Sequence, residues 1–320
     1  MFKNTLNNKK LNFFSISLKK NIPVIKKNYE NLKKFYNNFN LYIICPSKDL
    51  AEFKSELNYS NIQIINENLF LTKKDFSKNF NKYFSKTNYL KKIRWREGWY
   101  YQQVLKISFA LFFFKKKNFK HLIQWEADTI ILKKIEFFNN KKPIFYCTLF
   151  EKNENYFTTL KQLYGKLPKY YMSFTFQFAA LNFYTVNNLY LRLKNNTQIR
   201  NEDTIPNWFS KIMLKSIINI HKKYHLSLFS EQDFYGIGQL LTENDYYQKP
   251  FIYFRNFTKG ELSSMEIKIL RILNFYHLTY DNYDLIKNKK SSLITFFYYI
   301  LKLIFLFQYR KLKYLLREFF

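Results

Sequence analysis

Short apolar runs alternate with amphipathic stretches along the first half of the chain. Three of these runs are predicted to be strands, namely residues 12–18, 41–45 and 62–65, and the run 41–45 is apolar enough for a strand that is buried on both faces. The Lys- and Asn-rich segment 21–39 has helical periodicity, and a second helix is predicted to begin at Ser47. Because strands and helices alternate, the pattern predicts an α/β fold with a mostly parallel sheet flanked by helices.

The second half of the chain continues this pattern less regularly. We predict a short helix ending at Gly165, an amphipathic helix over 205–224, and strands near 143–149 and 173–183. Segment 67–92 is polar, aromatic and weakly patterned, so we predict a loop with short helical turns that reaches over the site. With 320 residues the chain can form one large domain or two fused halves.

The most informative stretch of the sequence is 94–132. It is predicted to contain a loop, a helix from Gly98, a basic turn, a strand over 121–125 and two acids. Four residues of the helix recur at helical spacing and share one polar and aromatic face: Trp99, Gln102, Gln103 and Lys106. The apolar residues around them can pack inward, so this face is a candidate ligand surface.

The two acids that follow the strand are Glu126 and Asp128. Carboxylates with this spacing at the end of a buried strand can hold a divalent cation and leave sites open for phosphate oxygens. Open α/β sheets bind ligands at the carboxyl ends of their strands, so the position agrees with such a use. A strand that simply ends in two solvated acids explains the same pattern.

Two segments carry a resemblance to a known family. Gly98–Gln103 with Lys106, followed by a strand and an acid-x-acid, resembles the Gly-Trp-Tyr-x-Gln-Gln-x-x-Lys helix of bacterial GT-A-type glycosyltransferases of surface-polysaccharide and lipooligosaccharide assembly. Phe229–Gly236 resembles the Ser-Glu-x-Glu/Asp-x-Tyr-Gly motif of that group, in the same order and spacing. The resemblance covers residues 13–280, with specific motifs only at these two places. The family has Asp at the first metal position, where this chain has Glu126.

The resemblance implies a GT-A-like (Rossmann-like) catalytic domain over 1–285, with a nucleotide-sugar-binding half at 1–132 and an acceptor half at 133–285. It implies that the two acids, Glu126 and Asp128, hold Mn²⁺ or Mg²⁺ on the diphosphate of a nucleotide-sugar donor, expected to be a UDP-sugar.

The helix face would then position the donor through Trp99, Gln102, Gln103 and Lys106. Arg96 comes just before this helix, and its guanidinium fork matches phosphate oxygens. A surface arginine in a basic protein explains Arg96 equally well.

Glu231 and Asp233 follow Ser230 at the start of a predicted helix. Ser230 is a favourable N-cap, and the helix dipole stabilises acids in the first turn, which alone explains both acids. In inverting GT-A enzymes a carboxylate at a helix start deprotonates the acceptor hydroxyl, and such a base needs hydrogen-bond reach to the attacking oxygen. By this resemblance Glu231 is the first candidate base and Asp233 the second; a retaining reaction would require neither.

The remaining candidates for metal binding or redox chemistry are few. Cys45 and Cys147 lie in apolar strand-like runs, which indicates buried free thiols in a reducing compartment. His277 corresponds to a late histidine that is a third metal ligand in some GT-A families. The sequence therefore gives no disulfide framework and no cysteine metal site.

The C-terminal segment 286–320 differs from the rest of the chain. Residues 293–307 are apolar almost all round, and these 15 residues are short of the roughly 20 that a membrane span needs. Beyond them an apolar stripe runs beside a basic stripe formed by Arg310, Lys313 and Arg317. This pattern predicts an amphipathic helix that lies on an anionic membrane surface. A terminal helix packed on the domain, with a basic outer face, is the alternative.

The net charge of +30 favours anionic partners such as nucleotide phosphates, acidic lipid surfaces or nucleic acid. Our hypothesis is a metal-dependent glycosyltransferase that moves a sugar from a nucleotide-sugar to a lipid-linked or oligosaccharide acceptor of lipooligosaccharide or capsule type. The first residues lack the apolar region of a signal peptide, so we expect a cytoplasmic protein, peripheral on the inner face of the cytoplasmic membrane.

Two other classes of function stay open. A nucleic-acid-binding protein is suggested by the charge and by 21% aromatic residues, but the charge is spread along the chain and no nucleic-acid-binding motif occurs. We therefore expect no nucleic-acid partner. A non-catalytic membrane-associated scaffold of the same fold is suggested by the replacement of Asp by Glu126.

Overall fold

The computed structural model describes residues 10–85, 93–117, 121–147, 153–168, 173–174, 177–196, 204–218, 227–242, 247–250, 254–255, 261–280 and 292–319. The end of the helix predicted over 205–224 and the start of the C-terminal segment, residues 286–291, lie outside this part of the chain.

The described strands are, in chain order, β1 (Leu11–Ile16), β2 (Phe39–Cys45), β3 (Ile62–Asn66), β4 (His121–Trp125), β5 (Thr129–Ile131), β6 (Phe138–Asn139), β7 (Lys142–Cys147), β8 (Phe178–Asn182), β9 (Tyr247–Pro250), β10 (Phe254–Arg255) and β11 (His277–Thr279). The α-helices are α1 (Ile22–Phe35), α2 (Leu50–Glu56), α3 (Lys73–Phe84), α4 (Glu97–Lys117), α5 (Glu154–Tyr164), α6 (Phe183–Asn196), α7 (Ile205–Ile218), α8 (Glu231–Thr242), α9 (Ser264–Ile272) and α10 (Leu293–Phe319).

The central sheet has five strands in the order β3-β2-β1-β4-β8. The first four are parallel, and β8 pairs antiparallel with β4. Two three-stranded sheets, β10-β11-β5 and β6-β7-β9, accompany it. The predicted α/β fold with a mostly parallel, helix-flanked sheet is therefore confirmed.

Both faces of the central sheet are buried. Successive residues of β1 enter different cores: Phe13 packs in a cluster with α1, whereas Phe14 packs in a cluster with α4. Neighbouring side chains of a strand point to opposite faces, so a strand covered on both sides must be apolar throughout. This explains why residues 41–45 of β2 form a continuous apolar run in the sequence.

The prediction of a loop over 67–92 is wrong for part of that segment. Residues Lys73–Phe84 form helix α3, whose N-cap Thr72 accepts a hydrogen bond from the backbone N–H of Asp75. Phe76, Phe80 and Phe84 recur at four-residue spacing and are buried. The segment was predicted to be a loop because the many Lys and Asn residues between these phenylalanines make its mean polarity high.

The Tyr-Gly step of the second motif has a packing reason. A Cβ atom placed on Gly236 in α8 would lie 2.2 Å from the ring of Phe174, and one on Gly238 would lie 2.0 Å from Leu189. Since real Cβ contacts are not this short, α8 can approach its neighbours only because these two positions lack side chains.

Helix α10 is continuous from Leu293 to Phe319 and packs on the domain through one face of its first half. Phe296 and Ile300 are buried in a cluster with residues of α1, β5 and β11. The opposite face exposes a stripe of large apolar side chains: Ile294, Phe297, Tyr298, Leu301, Phe305 and Leu312. The first half of the helix thus packs on the domain and exposes apolar side chains together with Lys302, whereas the side chains of Arg310, Lys313 and Arg317 lie outside the described part of the chain.

Within the described residues, none of the helices has both the length and the apolar character that crossing a membrane requires.

Candidate functional site

An open cleft of about 1480 Å³ lies along the carboxyl edge of the parallel strands. The residues that follow the first four strands line it: Ser17 after β1, Pro46 after β2, Glu67 after β3 and Glu126 after β4. Because parallel strands end at the same edge of the sheet, this is where an open α/β fold binds ligands. The cleft also receives the polar face of α4 and the start of α8.

Four residues that line the cavity and are partly exposed are called the rim here: Arg96, Trp99, Gln102 and Asp128. The Arg96 guanidinium lies 4.1 Å from the ring centroid of Trp95 and 5.8 Å from that of Trp99. These stacked rings hold the guanidinium in place. Its Nε–H is buried and has no hydrogen-bond partner among the described residues.

Below the rim lies a connected polar cluster, called the floor here, formed by Lys106, Glu126, Glu231, Gln124 and Gln232. The Lys106 Nζ donates to Glu126 Oε1 at 2.5 Å and to Glu231 Oε1 at 2.8 Å. Both amide groups donate to Glu231 Oε1 as well, at 2.7 Å and 2.6 Å. The same two amides reach Glu126 Oε1 at 3.3 Å and 3.2 Å. One ammonium and two amides therefore bind two carboxylates.

The floor is buried although it borders the cleft. The side chains of Lys106 and Glu231 are 5% and 2% exposed, and that of Glu126 is 19% exposed. Burial by itself lowers the pKa of Lys106, but the two adjacent carboxylates outweigh it and raise that pKa above its ordinary value. Burial raises the pKa of Glu126 to about 7, although Lys106 opposes the change.

The polar face predicted on α4 is thus divided between two levels. Trp99 and Gln102 stand at the rim, while Gln103 and Lys106 are buried beneath it. Gln103 Oε1 accepts a hydrogen bond from the backbone N–H of Glu231 at 3.3 Å, so it supports the start of α8. All four line the cleft, but the side chains of Gln103 and Lys106 form hydrogen bonds with other protein groups.

The two acids of the second motif point in different directions. Glu231 lines the cleft, and the hydrogen bonds described for it all reach Oε1. Asp233 is fully buried and lies outside the cleft lining. Its Oδ1 accepts from the backbone N–H of Phe174 at 2.6 Å and from the hydroxyl of Ser173 at 3.2 Å. Its contacts hold a neighbouring chain segment onto α8.

His277 lies apart from the cleft, buried on β11 among aromatic rings. Its imidazole is 6.2 Å from the ring centroid of Trp125 and 5.9 Å from that of Phe178. Burial lowers the pKa of His277 to about 3, so the ring is neutral at ordinary pH. Cys45 and Cys147 are buried free cysteines, as expected.

Asp128 is the residue whose surroundings best suit a divalent cation. Among the described residues there is no group of three or more His, Cys, Asp or Glu side chains that could hold a metal alone. Mg²⁺ and Mn²⁺ at phosphate sites are held by one or two carboxylates together with substrate oxygens. Asp128, partly exposed in the cleft, fits that donor set, whereas Glu126 Oε1 already accepts from three N–H groups.

Sequence reasoning did not single out Gln124, Gln232 or Glu67. Gln124 is a fully buried polar residue in the otherwise apolar run of β4, and such a residue is itself a signal of a polar partner. Gln232 lies in the second motif, Ser-Glu-x-Glu/Asp-x-Tyr-Gly, but at a position for which the motif specifies no residue. Glu67, at the far end of the cleft, fell in the segment that was predicted to be a loop.

Comparison with known proteins adds little to the geometry. No protein-family model matches the chain, and no curated protein matches its sequence. Among solved structures, the apo form of mouse xyloside xylosyltransferase 1 is similar with a TM-score of 0.40 and 10% identity, over 87% of this chain and 99% of that chain. A similarity of this size supports no argument about activity, so the function must be argued from the cleft.

Proposed function

We propose that this protein is a glycosyltransferase that uses a nucleotide-sugar donor. The observation that carries the proposal is the meeting of the two motif segments in one cleft. Lys106 of the first motif contacts both Glu126, at the end of β4, and Glu231, at the start of α8. In this proposal, Arg96 and Asp128 of the cleft would serve an anionic diphosphate, and the Glu231 carboxylate would serve an acceptor hydroxyl.

The donor would lie against the rim. Arg96 lines the cleft and would donate from its guanidinium to phosphate oxygens, and Trp99 and Gln102 would flank the donor. The resemblance of the motifs favours a UDP-sugar. Asp128 would hold Mn²⁺ or Mg²⁺ together with donor phosphate oxygens. A divalent ion there would offset the negative charge that develops on the leaving diphosphate.

Glu231 would act as the general base. Its Oε1 is held by three N–H donors in the described structure, so Oε2 is the oxygen assigned to the acceptor proton. The acceptor hydroxyl would transfer its proton to Glu231 and bond to the anomeric carbon, while the bond from that carbon to the diphosphate breaks. This assignment implies inversion of configuration, which the anomeric signal of the product in an NMR spectrum would test.

The proposal is tested by nucleotide release from a panel of UDP-, GDP-, CMP- and dTDP-sugars with Mn²⁺ in detergent. We expect one donor to be consumed, and Asp128→Ala to reduce release to background. Because a missing acceptor can silence turnover, donor binding is measured in parallel by thermal shift. A folded wild-type protein that neither turns over nor binds any donor contradicts the proposal and favours a scaffold.

We further propose that the exposed stripe of α10 lies on an anionic membrane surface and brings the cleft to a lipid-linked saccharide acceptor. Ile294 is 84% exposed, and the stripe continues through Leu301 and Phe305 beside the exposed Lys302. An apolar face with basic neighbours on a protein of net charge +30 matches anionic lipid head groups.

Flotation with vesicles tests this surface. Vesicles containing phosphatidylglycerol should bind the protein, phosphatidylcholine vesicles should bind it less, and Leu301→Glu with Phe305→Glu should release it. Leu69→Glu, at an exposed leucine elsewhere, is the matched control. Equal flotation of the double variant and the wild type would contradict the membrane proposal without affecting the transferase proposal.

A further inference from the structure

Lys106 occupies a position that is unusual for a lysine. Its ammonium lies between two carboxylates, 2.5 Å from Glu126 Oε1 and 2.8 Å from Glu231 Oε1, and its side chain is 5% exposed. Both separations are those of short, charge-assisted hydrogen bonds. The protein thus places a fixed positive charge where two converging carboxylates would otherwise attract a cation.

This arrangement changes the role of Glu126. A divalent ion bound to its second oxygen would face the repulsion of an ammonium that is bound to the first. Asp128, two residues later, lines the cleft, whereas the ion pairs described for Lys106 are those with Glu126 and Glu231. The two acids of the acid-x-acid pair are therefore not equivalent.

We propose that Lys106 is the resident cation of the cleft, and that Glu126 is a positioning residue for Glu231 rather than a metal ligand. The catalytic part of this inference rests on the proposed function and deepens it. Lys106 comes from α4, Glu126 from the end of β4 and Glu231 from the start of α8. Their shared contacts fix the proposed base relative to Asp128, and so relative to the donor diphosphate.

The first test is Mn²⁺ binding measured by electron paramagnetic resonance in the presence of a nucleoside diphosphate. Asp128→Asn should weaken Mn²⁺ binding by at least about 30-fold, because it removes a direct ligand. Glu126→Gln should leave the Mn²⁺ affinity within about threefold of wild type, since only a group outside the coordination sphere changes. Equal losses in the two variants would overturn the assignment of Glu126.

The second test needs no nucleotide. Lys106→Met leaves the two carboxylates without their cation, so Ca²⁺ should bind between them and raise the melting temperature of this variant but not that of the wild type. The charge-balanced double variant Lys106→Met with Glu126→Gln should lose this response. A folded Lys106→Met protein whose melting temperature ignores Ca²⁺ would contradict the idea of a resident cation.

The third test separates positioning from structural support. Glu126→Gln should lower kcat by about 10- to 100-fold while the KM for the donor changes little, because the base is misplaced but the donor subsite is intact. A rise in KM with unchanged kcat would instead place Glu126 on the donor. If the wild type binds no nucleotide, the proposed function fails, and the Ca²⁺ response of Lys106→Met still decides the inference.

Discussion

The floor and the rim of the cleft are built partly on the same helix, α4, yet the protein fixes them to different degrees. At the floor, Lys106 is buried and its ammonium binds two carboxylates. At the rim, Arg96 is stacked on aromatic rings but keeps a donor without a partner among the described residues. The floor is therefore held mainly by contacts within the protein, although Gln124 Oε1 is buried without a partner among the described residues, whereas we propose that a donor phosphate contacts Arg96 at the rim. Changes at the floor should affect stability and kcat, and changes at the rim should affect donor affinity.

The largest effect is expected at the floor, from Lys106→Met. Removing one partner of a buried ion pair leaves uncompensated charge, which costs about 3–5 kcal/mol of unfolding free energy. Urea unfolding measures it, with Lys78→Met on the exposed side of α3 as a control expected to stay within about 0.5 kcal/mol. A loss below about 1 kcal/mol for Lys106→Met would mean that the floor is not a buried ion cluster.

The second prediction separates the two acids of the second motif. Glu231→Gln should lower kcat by about 10²- to 10⁴-fold, because it removes the proposed general base from the cleft. Asp233→Asn should instead lower the unfolding free energy by about 1–3 kcal/mol, because Asp233 accepts the buried backbone N–H of Phe174. Steady-state kinetics and urea unfolding of both variants test this, and the opposite pattern would reassign the base.

The third prediction concerns a buried group that, unlike Lys106, is held neutral. The pKa of His277 is lowered to about 3 by burial, whereas in the unfolded chain it returns to about 6.5. Below that unfolded value the unfolded state binds the proton and the folded state does not, so stability falls as the pH falls. We expect a loss of about 2 kcal/mol between about pH 7.5 and about pH 5. His277→Phe should remove this component from urea unfolding curves; an unchanged pH slope would contradict it.

The smallest effect is expected at the rim. Arg96→Gln should raise the KM for the donor about tenfold with kcat and stability nearly unchanged, because one phosphate contact is lost and the floor is intact. Arg94→Gln is the matched control, since Arg94 is exposed and does not line the cleft. A lower kcat without a change in KM would show that Arg96 belongs functionally with the floor.

Much of the fold could be predicted from the sequence because its signals are local. Apolar-rich runs marked β1, β2 and β3, and α5 ends at Gly165 as predicted. Helix α3 was missed because its phenylalanine stripe is diluted by polar residues, although Thr72 and Asp75 carry a recognisable cap. For predicting a helix, an N-cap followed by one apolar residue per turn is therefore a stronger signal than the mean polarity of the segment.

The candidate site was harder to predict because its partners are distant in sequence. The motifs singled out Lys106, Glu126 and Glu231, which the structure brings into contact, but no local pattern could indicate that one ammonium joins both carboxylates across 125 residues. Likewise, helix-start preferences treat Glu231 and Asp233 alike, and only tertiary packing turns one toward the cleft and the other toward Phe174. The sequence was enough to name these residues as candidates, but the contacts that distinguish their roles arise only from the packing of α4 against α8.

The most direct test of the central claim is equilibrium binding of nucleoside diphosphates, measured by calorimetry with and without Mn²⁺. We predict that one nucleoside diphosphate binds the wild type in a Mn²⁺-dependent manner, and that Asp128→Asn weakens this binding by at least about 30-fold while remaining folded. Folded wild-type protein that binds none of them, or an Asp128→Asn variant that binds as tightly as wild type with Mn²⁺, would contradict the account of this cleft as a donor site.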